Sequence, residues 1–152
     1  MKKILVLIFV LFSSNVIAHM EHYNKYNKIE MDILRNGEVI GNNYYFFTRK
    51  GNQTIVTNQI KFSVKVLGAI IFQVEGYGEE KYLKDQLISY NSKTLQNDKE
   101  KFVSLVFNKS ENKFNIKGSS YSGEASSENI VGNWWSHKIL QTESQISPIS
   151  GS

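Results

Sequence analysis

The chain has 152 residues, a formal net charge of +4 and no cysteine. This length suits one domain, and a content of 41% hydrophobic and 12% aromatic residues excludes a disordered polar chain. The lack of cysteine excludes disulfides, thiolate metal sites and a lipidated cysteine anchor.

Residues 1–18 have the pattern of a secretory signal peptide. Lys2 and Lys3 precede an apolar run over residues 4–12, which is shorter than the roughly 20 residues of a spanning helix. We therefore expect cleavage after Ala18, a periplasmic or secreted protein, and no stable membrane span after cleavage. Loss of the two lysines lowers the formal net charge from +4 to +2, so a nucleic-acid partner is not expected.

The rest of the chain is expected to form a polar, flexible N-terminal arm over residues 19–27 and a single β domain over residues 28–152. The domain opens with a strand over 28–35, the turn Asn36-Gly37, which is typical of a two-residue hairpin, and a return strand over 38–49.

The clearest strand begins at Val56, where apolar and polar residues alternate as far as Val66. Gly68 is expected to bend the chain, while Gly76 and Gly78 suggest strong curvature in the strand that follows. Further strands are predicted over 87–95, 101–108 and 113–117, and 118–127 is expected to be a loop containing a short strand. The spacing predicts an all-β fold, in which an antiparallel meander forms a curved sheet, half-barrel or barrel, with one short helix near 136–142.

Four stretches resemble an uncharacterised family of short exported bacterial proteins, a β-rich domain of unknown function. The family commonly has tryptophan at the position of Tyr82, glycine near Gln86, and proline at the position of His137. The matching stretches are residues 31–41, 60–68, 79–87, and 134–140 followed by Gly151.

The resemblance covers nearly all of residues 28–152 and implies a secreted β-rich fold without implying an activity. Members usually continue past the position of Gly151 with more strands. We therefore expect a C-terminally truncated member that lacks the last strands of the family, with an unpaired sheet edge or a different closure as the consequence.

The motifs favour a non-enzymatic protein, with no catalytic residue, resident metal or cofactor expected. One alternative is copper binding, because cleavage after Ala18 would expose the amino group and imidazole of His19, with His22 or His137 as a further ligand. A second alternative is a hydrolase that uses the carboxylates of the Glu75–Glu80 cluster. Ion pairs with lysines on a wet sheet face are the simpler interpretation of that cluster.

The remaining hypothesis concerns the apolar face of the central strands, which must be covered by side chains or by a ligand. Trp134 and Trp135 are adjacent, so one ring is expected to plug the domain and the other to stay near the surface. We expect a binding or envelope-associated role, with a lipid, another apolar ligand or an envelope protein as partner. The candidate ligand-binding residues are Phe62, Val64, Val66, Ile70, Phe72, Val74 and Trp134.

Overall fold

The computed structural model of the chain describes Tyr23 and residues 25–152. Eight strands follow one another in a single sheet, and each pairs antiparallel with the next, which confirms the predicted all-β meander. Within the described residues, no helix has the length and apolar character needed to cross a membrane. The strands are β1 (Lys28–Arg35), β2 (Glu38–Lys50), β3 (Gln53–Val66), β4 (Ala69–Leu83), β5 (Gln86–Gln96), β6 (Lys99–Asn108), β7 (Lys113–Gly118) and β8 (Ser122–Ser126).

Tight turns join the strands, and residues with left-handed backbone conformations form the turns of the β1–β2 and β3–β4 hairpins. Asn36 and Gly37 have φ angles of 52° and 85°, as a two-residue type I′ turn requires. Leu67 and Gly68 have φ angles of 51° and 84°. The expected bend at Gly68 is therefore a complete hairpin reversal between β3 and β4.

The sheet is curved but open, because β1 and β8 do not pair with each other. The barrel that the sequence analysis allowed is therefore wrong. Instead of closing, the sheet is covered on its concave face by the C-terminal segment, which we define as residues 130–152. Gly78 leaves room for the side chain of Tyr90 on this face, since a Cβ at residue 78 would lie 3.0 Å from the hydroxyl of Tyr90.

The C-terminal segment is held by short elements rather than by long strands. Its β9 (Ile130–Val131) and β10 (Gln145–Ile146) pair in parallel. A 3₁₀ helix over His137–Leu140 lies between them, and Ser136 caps it by accepting a hydrogen bond from the backbone N–H of Lys138 at 3.4 Å. The expected short helix near 136–142 is thus present as a single 3₁₀ turn.

The core consists of two hydrophobic clusters on the concave face. In one, Val131 and Ile146 of the C-terminal segment cover the side chains of β5, β6 and β7. In the other, Trp135 packs among side chains of β2 and β3, namely Tyr45, Phe47 and Val56. Tyr82 packs against both clusters, so the two form one continuous interior.

The predicted signal peptide and most of the predicted arm lie outside the described residues. In the described part of the arm, Tyr23 stacks on Phe47, with ring centroids 6.1 Å apart. The guanidinium of Arg49 donates hydrogen bonds to the carbonyls of Tyr23 and Tyr26 at 2.7 and 3.0 Å. These contacts hold Tyr23 and Tyr26 against β2.

Candidate functional site

A cavity of about 160 Å³ lies between the concave face and the C-terminal segment. The segment forms one wall through Asn133, Trp134, Pro148 and Ile149. The sheet forms the other, where Gly76 leaves room because a Cβ there would meet Ile60 and Thr94 at 3.0 and 3.1 Å. The sheet wall includes Asn43, Tyr45, Asn58, Ile60, Phe62, Phe72, Val74, Gly76, Tyr90, Ser92, Thr94 and Gln96.

The strand register divides the sheet wall into an apolar end and a polar end. Phe62 pairs with Val74, and the rings of Phe62 and Phe72 lie 5.9 Å apart at the apolar end. At the polar end, Asn58 pairs with Tyr45 across β2 and β3. A ligand in this cavity would therefore meet aromatic and aliphatic surface at one end and hydrogen-bonding groups at the other.

Hydrogen bonds fix the polar end of the cavity. The side-chain amide of Asn58 donates to Oδ1 of Asn43 at 2.5 Å, and the amide of Asn43 donates to the hydroxyl of Tyr45 at 3.0 Å. The backbone N–H of Trp134 donates to the same hydroxyl at 3.2 Å. The hydroxyl of Tyr45 thus accepts twice, while its own hydrogen finds no acceptor within the part of the chain that the structure describes.

The protonation state of this hydroxyl follows from its burial. Burial raises the pKa of Tyr45 to about 12, although the hydrogen bonds from Asn43 and Trp134 oppose the rise. The phenol is therefore protonated at neutral pH and can donate to a ligand. A buried donor without an acceptor is uncommon in proteins, and a ligand atom would satisfy it.

Trp134 and Trp135 have opposite environments, as expected from their adjacency. Trp134 is 73% exposed and stands at the cavity mouth, whereas Trp135 is buried. Trp135 makes edge-to-face contacts with Tyr23, Phe47 and Tyr82 at centroid distances of 5.4, 5.4 and 6.1 Å. Trp135 is therefore the ring that fills the interior of the domain, and Trp134 remains available to a ligand.

The structure divides the seven predicted ligand-binding residues into two groups. Phe62, Phe72, Val74 and Trp134 line the cavity. Val64, Val66 and Ile70 do not line it, because they lie on a part of the β3–β4 hairpin that extends beyond the neighbouring strands.

Apart from Trp134, sequence reasoning missed the cavity residues outside β3 and β4. Tyr45 lies in the run Tyr44-Tyr45-Phe46-Phe47, where every residue is aromatic and no alternation reveals the buried face. Pro148 is the only proline of the chain and comes shortly after β10. Being the only proline is the one sequence feature that could have drawn attention to this residue. Its carbonyl accepts hydrogen bonds from the hydroxyls of Tyr90 and Ser92 at 3.0 and 2.6 Å.

The Glu75–Glu80 cluster is divided between the two faces of the sheet. Glu75 and Glu79 lie on the convex face and pair with Lys61 and Lys81 at 2.9 and 3.1 Å. Glu80 points to the concave face and is 2% exposed. The three carboxylates therefore do not converge on one site.

Glu80 is held inside the protein by three donors. Its Oε1 accepts from the indole of Trp135 at 2.8 Å and from the side-chain amide of Asn133, and its Oε2 is hydrogen-bonded to the hydroxyl of Tyr82. Burial raises the pKa of this carboxyl despite those hydrogen bonds. The arrangement connects the C-terminal segment to β4.

Of the three histidines of the copper hypothesis, only His137 belongs to the described residues. His19 and His22 lie outside the described residues, and His137 begins the 3₁₀ helix. In the part of the chain that is described, no three His, Asp or Glu side chains form a group that could hold a metal ion.

Comparison with known proteins gives one match. The model of a family described as Domain of unknown function (DUF6134) matches residues 31–152. No curated protein and no solved structure matches the chain.

Proposed function

Since the chain belongs to the family described as Domain of unknown function (DUF6134), whose description states no activity, we propose a function from the cavity alone. The protein is a non-enzymatic binding protein that holds a small apolar ligand between Phe62, Val74 and Trp134. It acts in the periplasm or outside the cell, as the pattern of residues 1–18 suggests.

The observation that supports this proposal is a preformed cavity with an apolar end and a buried hydrogen-bond donor. Apolar cavities of about 150 Å³ take up benzene-sized molecules. The cavity of about 160 Å³ thus suits an aromatic ring or the end of an acyl chain. The hydroxyl of Tyr45 favours a ligand with a hydrogen-bond acceptor next to its apolar part.

Native mass spectrometry of the purified protein tests for a ligand that co-purifies. Titration with ethylbenzene and acetophenone, followed by calorimetry and tryptophan emission, tests the cavity directly. We expect the emission of Trp134 to shift on binding, because its ring stands at the mouth. In Trp134→Phe the shift should disappear while binding persists.

Truncation of the mouth gives the matched comparison. Trp134→Ala should weaken binding about tenfold, because roughly 50 Å² of apolar contact is worth about 1.3 kcal/mol. Leu140→Ala is the control, since Leu140 belongs to the same segment, is 87% exposed and lies outside the cavity lining. Absence of any bound apolar molecule would refute the proposal, and so would equal losses of binding in the two variants.

A further inference from the structure

Residues 63–73, which we call the β3–β4 finger, extend beyond the sheet. The pairing of β2 with β3 ends at Phe62, and the pairing of β4 with β5 begins at Val74. Four residue pairs continue the hairpin alone, from Ser63 opposite Gln73 to Val66 opposite Ala69. At about 3.3 Å per residue, the finger projects about 13 Å. At its base, hydrogen bonds join Gln73 to Asn97 in the turn between β5 and β6.

The finger is apolar on both faces and at its tip. Leu67 is fully exposed at the turn, and Ile70 and Ile71 are 54% and 57% exposed. Ile70 pairs with Lys65, and the next residue of β3, Val66, is 43% exposed and pairs with Ala69. Because paired residues share a face and successive residues of a strand point to opposite faces, Ile70 and Val66 place exposed apolar side chains on both sides of the ribbon. The adjacent β1–β2 hairpin adds exposed Leu34 and Val39. Such a contiguous apolar surface marks an interaction site.

Basic side chains lie next to this apolar tip. Lys65 is the only charged residue of the finger, and it lines the same surface depression as Arg35 and Glu38 of the β1–β2 hairpin. Within the described residues neither Lys65 nor Arg35 forms an ion pair, whereas Lys61 pairs with Glu75. Two cations are therefore available beside an apolar projection.

We propose that the β3–β4 finger inserts into the interface of an anionic lipid surface. Leu67, Ile70 and Ile71 enter the boundary between headgroups and acyl chains, where inserted apolar side chains reach about 5–10 Å deep. Lys65 and Arg35 bind lipid phosphates at the headgroup level. A lipid surface can surround a ribbon that is apolar on both faces and at the tip, whereas a flat protein surface covers only one side.

The backbone of the finger limits the depth of insertion. Its outer edges carry N–H and C=O groups without a neighbouring strand, and such groups cannot enter the hydrocarbon core unpaired. The finger therefore docks at the interface and does not cross the bilayer. This inference does not depend on the proposed ligand, because Leu67, Ile70 and Ile71 do not line the cavity.

Vesicle co-sedimentation of the whole protein tests the proposal. We expect binding to vesicles of mixed phosphatidylglycerol and phosphatidylcholine, and much weaker binding to pure phosphatidylcholine. Leu67→Glu should weaken binding about tenfold, since it replaces the deepest apolar side chain with a charge. Leu140→Glu is the control, because Leu140 is also an exposed leucine but lies on the C-terminal segment.

A second variant tests the contribution of the positive charge of Lys65 to vesicle binding. Lys65→Gln should weaken binding to the anionic vesicles about fivefold and leave the weak binding to phosphatidylcholine unchanged. Lys84→Gln, at the turn between β4 and β5 on the opposite end of the sheet, is the matched control.

Three results would overturn the lipid proposal. The first is an absence of wild-type binding to anionic vesicles. The second is an equal loss of vesicle binding in Leu67→Glu and Leu140→Glu. The third is a wild-type protein that does not bind vesicles but forms a dimer without lipid, which the substitution Leu67→Glu dissociates. The last result would identify a second copy of the chain as the occupant. Ligand titration without vesicles should be unchanged in Leu67→Glu, so failure of this proposal can be told apart from failure of the cavity proposal.

Discussion

The indole N–H of Trp135 donates to Oε1 of Glu80 at 2.8 Å, and this bond joins the C-terminal segment to the middle of the sheet. Both side chains are buried, and Trp135 also makes an edge-to-face contact with Tyr82. The C-terminal segment is thus attached by a carboxylate inside an aromatic cluster. The same segment forms one wall of the cavity, so the attachment also determines the shape of the site.

Removal of the Glu80 carboxyl should destabilise the fold strongly. Glu80→Ala leaves the buried donors of Trp135, Asn133 and Tyr82 without their acceptor, and each such group costs about 1–3 kcal/mol. We expect the free energy of unfolding in urea to fall by about 3 kcal/mol or more. Glu80→Gln keeps Oε1 as an acceptor and should lose much less. Equal losses in the two variants would contradict this role of the carboxyl.

The stability of the protein should also depend on pH through Glu80. Burial raises the folded-state pKa of this carboxyl above its ordinary value of 4.5. Below pH 4.5 the group is protonated in both the folded and the unfolded chain, so its contribution is fully present. As the pH rises, the unfolded chain loses this proton first, and the free energy of unfolding falls until the pH exceeds the folded-state pKa.

Comparison with Glu80→Gln isolates this effect. Between pH 4.5 and 8, the unfolding free energy of the wild type minus that of the variant should decrease, by up to about 1.4 kcal/mol per pH unit. Urea denaturation at a series of pH values measures it. A difference that stays constant or grows with pH would mean that the hydrogen bonds outweigh burial.

The attachment of the C-terminal segment could not have been predicted from the sequence. Besides the side-chain bonds to Glu80, its contacts to the sheet include a backbone carbonyl, the oxygen of Pro148 that accepts from Tyr90 and Ser92. Backbone acceptors leave no side-chain pattern to recognise. The part of the cavity wall that the segment supplies was therefore not predicted, apart from Trp134, which was identified by its adjacency to Trp135.

Gly118 of β7 should be required for docking of the end of the segment. A Cβ at this position would collide with the backbone of Ser150, whose carbonyl carbon would lie 3.0 Å away. Gly118→Ala should therefore displace residues near Pro148, lower stability by about 2 kcal/mol and weaken ligand binding. Lys117→Ala, the neighbouring exposed position of β7, is the control. Hydrogen exchange of residues 147–152 measures the displacement, and unchanged protection in Gly118→Ala would exclude it.

The strand order was predictable where alternation and turn residues agree, as at Asn36-Gly37 and over the strand from Val56. At Leu67-Gly68 the sequence predicted a bend but not the complete hairpin. The β3–β4 finger carries apolar side chains on both faces, so no change in the alternation pattern marks the reversal of the chain. Closure of the sheet was equally undetermined, since apolar strands can be covered by a barrel wall or by a returning segment. The same two-sided apolar character explains why Val66 and Ile70 were assigned to an interior face.

The hydroxyl of Tyr45 should select ligands that carry an acceptor. It accepts from Asn43 and Trp134 and has its own hydrogen available, since a pKa of about 12 keeps it protonated. Tyr45→Phe should weaken binding of acetophenone about 3- to 10-fold relative to ethylbenzene, the range expected for loss of one hydrogen bond of about 0.7–1.4 kcal/mol. Calorimetry measures both affinities. A change in cavity shape weakens both ligands equally, so it cancels in the ratio of the two affinities. An unchanged ratio would show that the ligand does not reach the polar end of the cavity.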